Sequence, residues 1–228
     1  MKGRLISIEG GEGAGKSTVI AAVVAELQAH GWRVQAVREP GGTPLGEAVR
    51  GLLLDPAHPS MCAESELLLM MASRAQLVRE RILPALDAGE WVVSDRFTDA
   101  SFAYQGGGRG IDSARIAELE RWAVGIKPDL TLLLDVGVAE GLARARQRGG
   151  ELDRIEREAD GFFERVRTRY LERAQAEPQR YRVVDASQPA ATVVAAVQQV
   201  LRAWLATQRG DAHASSPAPQ AQGKGAEG

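Results

Sequence analysis

The sequence predicts an α/β fold in which an open, largely parallel sheet carries helices on both faces. Two observations lead to this prediction. Short runs of continuous apolar residues, typical of buried parallel strands, recur along the chain, and segments with apolar residues at helical spacing separate them. The length of 228 residues suits one well-cored domain. We predict that domain over residues 1–208.

The first elements form a βαβ unit. Residues 5–8 are strand-like, and the strand breaks at the Gly10-Gly11 pair. Apolar residues at helical spacing follow over 19–27, and residues 33–37 restart as a strand. Strand, glycine loop, helix and strand in this order predict two parallel strands joined by a crossover helix.

Three more strands are predicted further along the chain. Residues 91–94 and 130–134 are short apolar runs, and residues 181–184 form a weaker one. The segment 63–88 is rich in Leu and Ala and predicts a helix. We expect Pro84 to kink or divide that helix, because proline has no N–H to donate.

Two helices and a tail complete the prediction. Asp112 is a good N-cap for a helix with one apolar face. An apolar stripe over 193–205 predicts the last helix. From residue 209 the sequence has no periodicity, so we predict a disordered tail over 209–228. The apolar face after Asp112 consists of Ile116, Leu119, Trp122 and Ala123.

The composition argues against several classes of function. The formal net charge of −2 gives no overall attraction for nucleic acid or for an anionic membrane. No apolar stretch approaches the ~20 residues of a membrane span, and residues 1–10 lack the apolar region of a signal peptide. The single Cys62 cannot form a disulfide within the chain, and we expect it to be buried. We predict a cytoplasmic protein that binds neither membrane nor nucleic acid.

A phosphate-binding loop lies between the first strand and the first helix. Residues 10–17 match the spacing G-x-x-x-x-G-K-[ST]. Its glycines let backbone N–H groups turn toward phosphate oxygens, and the helix N-terminus adds its positive dipole end. Lys16 supplies a mobile charge for the β- and γ-phosphates of ATP, and the Ser17 hydroxyl is a ligand for Mg²⁺. The predicted ATP contacts here are Gly10, Gly11, Glu12, Gly13, Ala14, Gly15, Lys16, Ser17 and Thr18.

A carboxylate is expected to help hold the Mg²⁺, directly or through water. Asp95 ends the third predicted strand, and the carboxyl ends of parallel strands face the ligand crevice. Asp135 has the same local form and is the competing candidate. Arg96 favours Asp95, because an Asp-Arg pair offers both a metal partner and an anion clamp.

Arginine-bearing loops predict a second anionic substrate. Residues 38–43 follow the second strand, and Asp95-Arg96-Phe97 follows the third. Both loops lie at the same sheet edge as the phosphate loop, so their guanidinium groups converge beside the γ-phosphate. The attacking group is then an anionic phosphate oxygen, which needs no general base.

Together these segments resemble bacterial thymidylate kinases. The resemblance covers about residues 3–205 and implies a P-loop kinase fold with a five-stranded parallel sheet, usually assembled as a homodimer. It also implies transfer of the γ-phosphoryl group of MgATP to dTMP, which yields dTDP for dTTP synthesis. The resemblance is carried by residues 10–17, 38–43, 95–97, 103–106, 153–156 and 162–167.

The resemblance also implies roles for individual residues at the sugar and phosphate of dTMP. Glu12 would meet the 3′-hydroxyl, and Tyr104 would crowd out a ribose 2′-hydroxyl. Arg96, with Arg38 and Arg50 nearby, would hold the acceptor phosphate.

At the thymine ring, Arg74, Ser101 and Gln105 would read the polar edge. The chain departs from the family where a phenylalanine commonly stacks on the base: Met70 occupies that position and Met71 follows. A thioether still packs well on a flat ring. Plain helix core is the alternative role for the two methionines.

Alternating arginines in the segment 141–156 predict a mobile lid. Arg144 would contact ATP, and Arg148 or Arg154 would neutralise charge on the transferring phosphate. In related enzymes of the other subtype the phosphate loop supplies that arginine, whereas this loop has Gly13 there. Taken alone, such arginines are also typical of a solvated helix face or a nucleic-acid patch.

Two other functions stay open on the sequence. A kinase for another nucleotide or nucleoside acceptor has its best support in Met70. A nucleotide-dependent regulatory switch has little, because the chain lacks the guanine-reading Asn-Lys-x-Asp motif and the acceptor-side arginines would be unexplained.

Overall fold

Five parallel strands form one sheet in the spatial order β2-β3-β1-β4-β5, which confirms the predicted architecture. The computed structural model describes residues 3–147, 149 and 151–214, with side chains as far as residue 208. The strands are β1 (Leu5–Gly10), β2 (Val34–Arg38), β3 (Trp91–Asp95), β4 (Leu130–Asp135) and β5 (Tyr181–Asp185).

Helices cover both faces of the sheet, and three of them continue into π-helical segments. The π-helical segments are Val78–Ile82, Phe102–Gly108 and Glu120–Val124. Within the described residues the α-helices are α1 (Lys16–Ala29), α2 (Pro44–Leu54), α3 (Ala63–Leu77), α4 (Leu83–Asp87), α5 (Thr98–Ser101), α6 (Ser113–Leu119), α7 (Val138–Gln147), α8 (Asp160–Ala176) and α9 (Ala190–Ala214).

Two hydrophobic layers sandwich the sheet. On one face, Val23 of α1 and Val197 of α9 pack over β1, β3 and β4. On the other face, Leu77 of α3 and Ile116 of α6 belong to a second cluster. Strands buried on both faces explain why the apolar runs in the sequence are continuous.

The predicted helix over 63–88 is divided, as expected, but by a widened turn ahead of Pro84. The N–H of Leu83 donates to the carbonyl of Val78, five residues earlier. Proline offers no N–H and crowds the preceding turn, which the wider hydrogen-bonding pattern accommodates.

The helix after Asp112 begins as predicted, but its apolar face does not continue. The Asp112 carboxylate accepts the N–H of Ala114 at 2.8 Å. Trp122 was predicted to lie on the buried face with Ile116, yet it is 80% exposed. The π-helical segment adds a residue to the turn, as the bond from Gly125 N–H to the Glu120 carbonyl shows, and this rotates Trp122 outward.

Two other expectations differ from the structure. Cys62 is exposed rather than buried, because it is the N-cap of α3 and lies outside its packed face. Helix α9 continues to Ala214, past the predicted boundary at 208, and residues 215–228 of the predicted tail lie outside the described residues. No described helix combines the length and apolar character needed to cross a membrane.

Candidate active site

The phosphate loop joins β1 to α1 through glycines in conformations that a side chain disfavours. Gly13 and Gly15 have φ values of 68° and 86°. A Cβ on Gly13 would also overlap the carbonyl oxygen of Gly141 at the start of the predicted lid. An arginine therefore does not fit at this position of the loop, in agreement with the prediction that a transferring-phosphate arginine comes from elsewhere.

Lys16 lies folded against its own loop. Its Nζ donates to the carbonyl oxygens of Gly11 at 3.0 Å and of Gly10 at 3.3 Å. Loss of hydration and, to a lesser extent, the nearby Arg96 guanidinium lower the pKa of Lys16 to about 8. Near this pH a substantial fraction of the free protein carries an uncharged lysine.

This lowered pKa predicts that ATP affinity falls as the pH rises above about 8. The phosphates of ATP bind the protonated lysine better, so affinity is full below the pKa of the free protein and declines above it. Calorimetric titration with ATP at pH 7 and pH 9.5 measures the change. The dependence should be lost in Lys16→Arg, whose guanidinium stays charged, and should persist in Glu9→Gln, which removes the other nearby group with a pKa of about 8.

A hollow of ≈ 680 Å³, part of it open solvent, adjoins one side of the phosphate loop and suits the base and ribose of ATP. Gly15 and Thr18 form one wall, and Val193 of α9 lies opposite. Arg144 is fixed at the rim, where its guanidinium donates to the carbonyls of Ala186 at 2.7 Å and Ser187 at 2.8 Å. This is where the sequence predicts the contact of Arg144 with ATP.

A second cleft, ≈ 930 Å³ including open solvent, lies on the other side of the loop, and we call it the acceptor cleft after the second anionic substrate that the sequence predicts. Four cationic side chains line it. They come from α1, β2, α2 and the loop after β3, four segments that the parallel sheet brings to one edge. The four residues are Lys16, Arg38, Arg50 and Arg96.

Arg96 is held among three predicted site residues. Its guanidinium donates to Glu12 Oε1 at 2.8 Å and to the Gly10 carbonyl at 3.0 Å, and it lies 4.7 Å from the ring centre of Tyr104. The hydroxyl of Tyr104 donates to the same Glu12 oxygen at 2.9 Å. The residues predicted to contact the acceptor phosphate (Arg96), the sugar 3′-hydroxyl (Glu12) and the sugar 2′-position (Tyr104) therefore form one connected group.

The other two arginines of the cleft are more loosely held. Arg38 donates to Glu47 at 2.8 Å, and its side chain is 48% exposed. Arg50 donates to the carbonyl of Pro40 at 3.1 Å.

At the far end of the cleft, the structure separates the two methionines. Met70 lines the cleft, whereas Met71 packs in the core behind it. Gln105 also lines the cleft from the π-helical segment Phe102–Gly108, and its Nε2 donates to Glu66 at 2.8 Å. Its Oε1 is buried without a hydrogen-bond partner in the described structure. A thymine N3–H would satisfy such an acceptor.

Arg74 and Ser101 lie behind the cleft wall. Arg74 is almost fully buried, pairs with Glu39 and donates to Ser101 Oγ at 2.9 Å and to the Phe97 carbonyl at 3.1 Å. Burial raises the pKa of Glu39, and the Arg74 charge opposes this shift. Arg74 therefore ties together the loops that carry the cleft.

In the described part of the predicted lid, 141–156, residues 141–147 belong to α7 and residues 151–156 form no helix or strand. Arg148 lies outside the described residues. Arg154 is buried, and its guanidinium donates to Glu66 at 2.6 Å and to the Leu53 carbonyl at 2.8 Å. Its neighbours Asp153, Ile155 and Glu156 line the acceptor cleft. Arg154 is thus turned toward α3 in this conformation.

The two candidate carboxylates for a metal differ in their partners. Asp135 forms a two-point ion pair with Arg167 at 2.7 and 3.0 Å. Asp95 lines the acceptor cleft, and its Oδ1 is buried without a hydrogen-bond partner in the described residues. Those residues contain no group of three or more His, Cys, Asp or Glu side chains able to hold an ion. Of the two carboxylates, Asp95 therefore has the free oxygen that a Mg²⁺ would need.

The sequence did not reveal the buried residues whose hydrogen bonds hold the site residues in place. Glu9 is fully buried at the end of β1, and burial together with the like charge of Asp99 raises its pKa to about 8. Glu66, buried in α3, binds Gln105, Arg109 and Arg154. A charged residue inside an otherwise apolar strand was the available signal for Glu9.

The sequence and the fold of this chain are similar to those of known thymidylate kinases. A sequence model of the thymidylate kinase family matches residues 8–197. The thymidylate kinase of Pseudomonas syringae pv. syringae (strain B728a) is 54% identical over 211 residues, which are 92% of this chain and 100% of that protein. The thymidylate kinase of Alkalilimnicola ehrlichii is 53% identical over 209 residues, 90% of this chain and 96% of its own. The crystal structure of thymidylate kinase from Ehrlichia chaffeensis is 31% identical with a TM-score of 0.71, over 89% of this chain and 99% of that one. The chain belongs to the thymidylate kinase family.

Proposed function

We propose that this chain carries out the reaction of its family, the transfer of the γ-phosphoryl group of ATP to the 5′-phosphate of dTMP. The product, dTDP, is a precursor in dTTP synthesis. One observation carries the proposal: a hollow that suits a nucleotide and a cationic cleft lie on opposite sides of one phosphate loop, and Lys16 of that loop lines the cleft. A donor and an acceptor bound there meet at the γ-phosphate, as direct transfer requires.

The cationic wall of the cleft holds the acceptor phosphate. Arg96 is the fixed contact, because Glu12, Gly10 and Tyr104 already orient its guanidinium. Arg38 and Arg50 complete the wall and move onto the phosphate when it binds. Glu12 then shares its carboxylate with the sugar 3′-hydroxyl, and the Tyr104 ring leaves no room for a 2′-hydroxyl.

The thymine ring occupies the end of the cleft. Met70 packs on its face in place of an aromatic ring. Gln105 offers its free carbonyl oxygen to the N3–H of thymine, since Glu66 holds the amide NH₂ group on the other side. Arg74 and Ser101 support this wall from behind.

The phosphate loop and the Arg144 rim hold ATP. Ser17 and Asp95 would hold the Mg²⁺ that accompanies it. A bound Mg²⁺ neutralises negative charge on the phosphates. The protein's own contribution is Lys16, which leaves the loop carbonyls for the phosphate oxygens, and Arg96, which fixes the attacking oxygen in line.

The lid supplies a further arginine for the transferring phosphate. Arg148 and Arg154 are the candidates, and Arg154 first has to exchange its ion pair with Glu66 for the phosphates. Substitution of each by alanine should lower kcat strongly with a weaker effect on dTMP affinity.

A coupled assay of ADP release tests the proposed function. With MgATP, the purified protein should turn over dTMP in preference to dUMP, dCMP, dAMP and dGMP. Equal use of all five acceptors would refute a thymidylate pocket, and slow ATP hydrolysis unchanged by dTMP would support a regulatory switch instead.

We also propose a cytoplasmic homodimer. Trp122 is 80% exposed and Leu68 of α3 is 57% exposed, and α3 packs beside the π-helical segment that carries Trp122. An exposed indole of this size is typical of a protein interface.

Trp122→Glu is expected to dissociate this dimer. A buried carboxylate without a partner opposes association, so light scattering coupled to gel filtration should show a monomer at micromolar concentration. Leu152→Glu is the matched control, because Leu152 is 38% exposed at the lid rather than on α3. A dimer that persists in Trp122→Glu would place the interface elsewhere.

A further inference from the structure

Arg96 has an unfavourable backbone conformation at the edge of the acceptor cleft. In the described part of the chain it is the one residue other than glycine with a positive φ, 68°. This left-handed conformation brings the Cβ too close to the following carbonyl oxygen, and it persists only where surrounding contacts fix it. The residue proposed to hold the acceptor phosphate therefore depends on its supports.

Three hydrogen bonds fix the peptide groups on either side of Arg96. Its N–H donates to the Ile8 carbonyl at 3.0 Å. The hydroxyl of Ser94 donates to its carbonyl at 2.6 Å. The N–H of Phe97 donates to Glu9 Oε1 at 2.7 Å. The last two hold the peptide that leaves Arg96, because the Arg96 carbonyl and the Phe97 N–H belong to one peptide group: Ser94 holds its carbonyl and Glu9 holds its N–H.

The second oxygen of Glu9 reaches the side chain of Arg96 through a tyrosine. The hydroxyl of Tyr170 donates to Glu9 Oε2 at 2.8 Å, and Arg96 donates to the same hydroxyl at 3.3 Å. One buried carboxyl group thus holds the Arg96 backbone with one oxygen and, through Tyr170, its guanidinium with the other. Glu9 itself does not line the cleft.

We propose that Glu9 is a positioning residue for Arg96, which it holds in the left-handed conformation that directs the guanidinium to the acceptor phosphate. The proposal rests on the proposed function, in which Arg96 binds that phosphate. Loss of Glu9 should therefore weaken dTMP binding and slow turnover while ATP binding is nearly unchanged. If Glu9 only stabilised the fold, its loss would lower stability without changing the affinity for dTMP relative to the affinity for ATP.

Two substitutions at Glu9 and one control test this. Glu9→Met keeps the volume and removes both acceptors, and it should weaken dTMP binding by about 30-fold or more with less than about threefold change for ATP. Glu9→Gln keeps a carbonyl for the Phe97 N–H and should recover most of the loss. Asp129→Asn is the control, because Asp129 accepts the Leu5 N–H at 2.8 Å at the opposite end of β1. It should leave both affinities within about twofold.

A double-mutant cycle separates action through Arg96 from a general disturbance. In the Arg96→Ala background, Glu9→Met should change dTMP affinity by less than about threefold, because the residue it positions is gone. Full additivity of the two losses would overturn the proposal, as would wild-type dTMP affinity in folded Glu9→Met. If Glu9→Met does not fold, the same cycle is run with Tyr170→Phe, which removes the bridge to the guanidinium and should be equally non-additive.

A crystal structure of Glu9→Met supplies a result independent of the reaction. Arg96 should leave the left-handed region, and an unchanged φ would contradict the proposal even if activity falls. If the wild-type protein did not phosphorylate dTMP, the proposed function would fail while this structure still decided whether Glu9 holds Arg96.

Discussion

Lys16→Met should lower kcat by about 10³-fold while the fold is retained. The lysine belongs to the phosphate loop and lines the acceptor cleft, and its Nζ already lies 3.0 Å from the Gly11 carbonyl. On binding ATP it exchanges neutral carbonyls for phosphate oxygens whose charge is redistributed during transfer. Methionine keeps the length of the side chain and removes the charge.

The matched control is Lys127→Met. Lys127 forms an exposed ion pair with Glu177 at 3.4 Å, so its loss should leave kcat within about twofold. Steady-state rates at saturating ATP and dTMP, with circular dichroism to verify folding, provide the measurement. A folded Lys16→Met protein with more than a tenth of the normal kcat would show that the lysine is not essential to transfer.

Arg74→Ala should cause the largest loss of stability. The substitution leaves Glu39 buried without a counter-charge and also removes the bonds to Ser101 and Phe97. Breaking a buried pair in this way costs about 3–5 kcal/mol. For a domain of this size, that corresponds to a fall in Tm of roughly 6–20 °C. The affinity for dTMP should fall as well, because the same bonds hold the cleft wall.

The pH dependence of that loss follows from Glu39. Burial already raises the pKa of this carboxyl, and removal of Arg74 raises it further. A group whose pKa is raised by folding stabilises the fold below its unfolded value and costs stability as the pH rises. The loss in Arg74→Ala should therefore be smaller at pH 5 than at pH 8, and Glu39→Gln in the same background should recover part of it at pH 8.

Arg33→Ala is the comparison variant for thermal unfolding. Arg33 pairs with Glu90 at 3.0 Å, but its side chain is 71% exposed, so the change should cost no more than about 1 kcal/mol. A Tm for Arg74→Ala within about 2 °C of the wild type would mean that Glu39 is protonated or solvated in the intact protein.

The local sequence was enough to predict the phosphate loop and the strands that position the site. The phosphate loop is encoded by eight consecutive residues, 10–17, because its function depends on backbone freedom and on the lysine that directly follows. The strands were recognisable in the sequence as apolar runs, because helices cover both faces of the sheet. From the parallel sheet it followed that the loops after β2 and β3 meet the phosphate loop at one edge, and Arg38, Arg50 and Arg96 do line one cleft with Lys16.

Only the tertiary structure decided which side chains pair. Asp95 and Asp135 look alike in sequence, but Asp135 is taken by Arg167, 32 residues away, and Asp95 is left for a ligand. Arg154 was predicted from its place in the lid, whereas its ion pair with Glu66, 88 residues earlier, depends on how α3 packs. Hydrogen-bond partners at such separations are set by packing, which no local pattern contains.

The tertiary structure also decided toward which side of a helix each side chain points. A π-helical segment turns Trp122 out of the core, and another carries Tyr104 and Gln105 into the acceptor cleft. Periodicity assumes a constant turn, and one extra residue in a turn shifts every side chain after it. The sequence alone was enough to predict a nucleotide-phosphate site at a glycine loop beside converging arginines. The buried support of that site, from Glu9 to Arg96 and from Glu66 to Gln105, came from the packing of segments far apart in the chain.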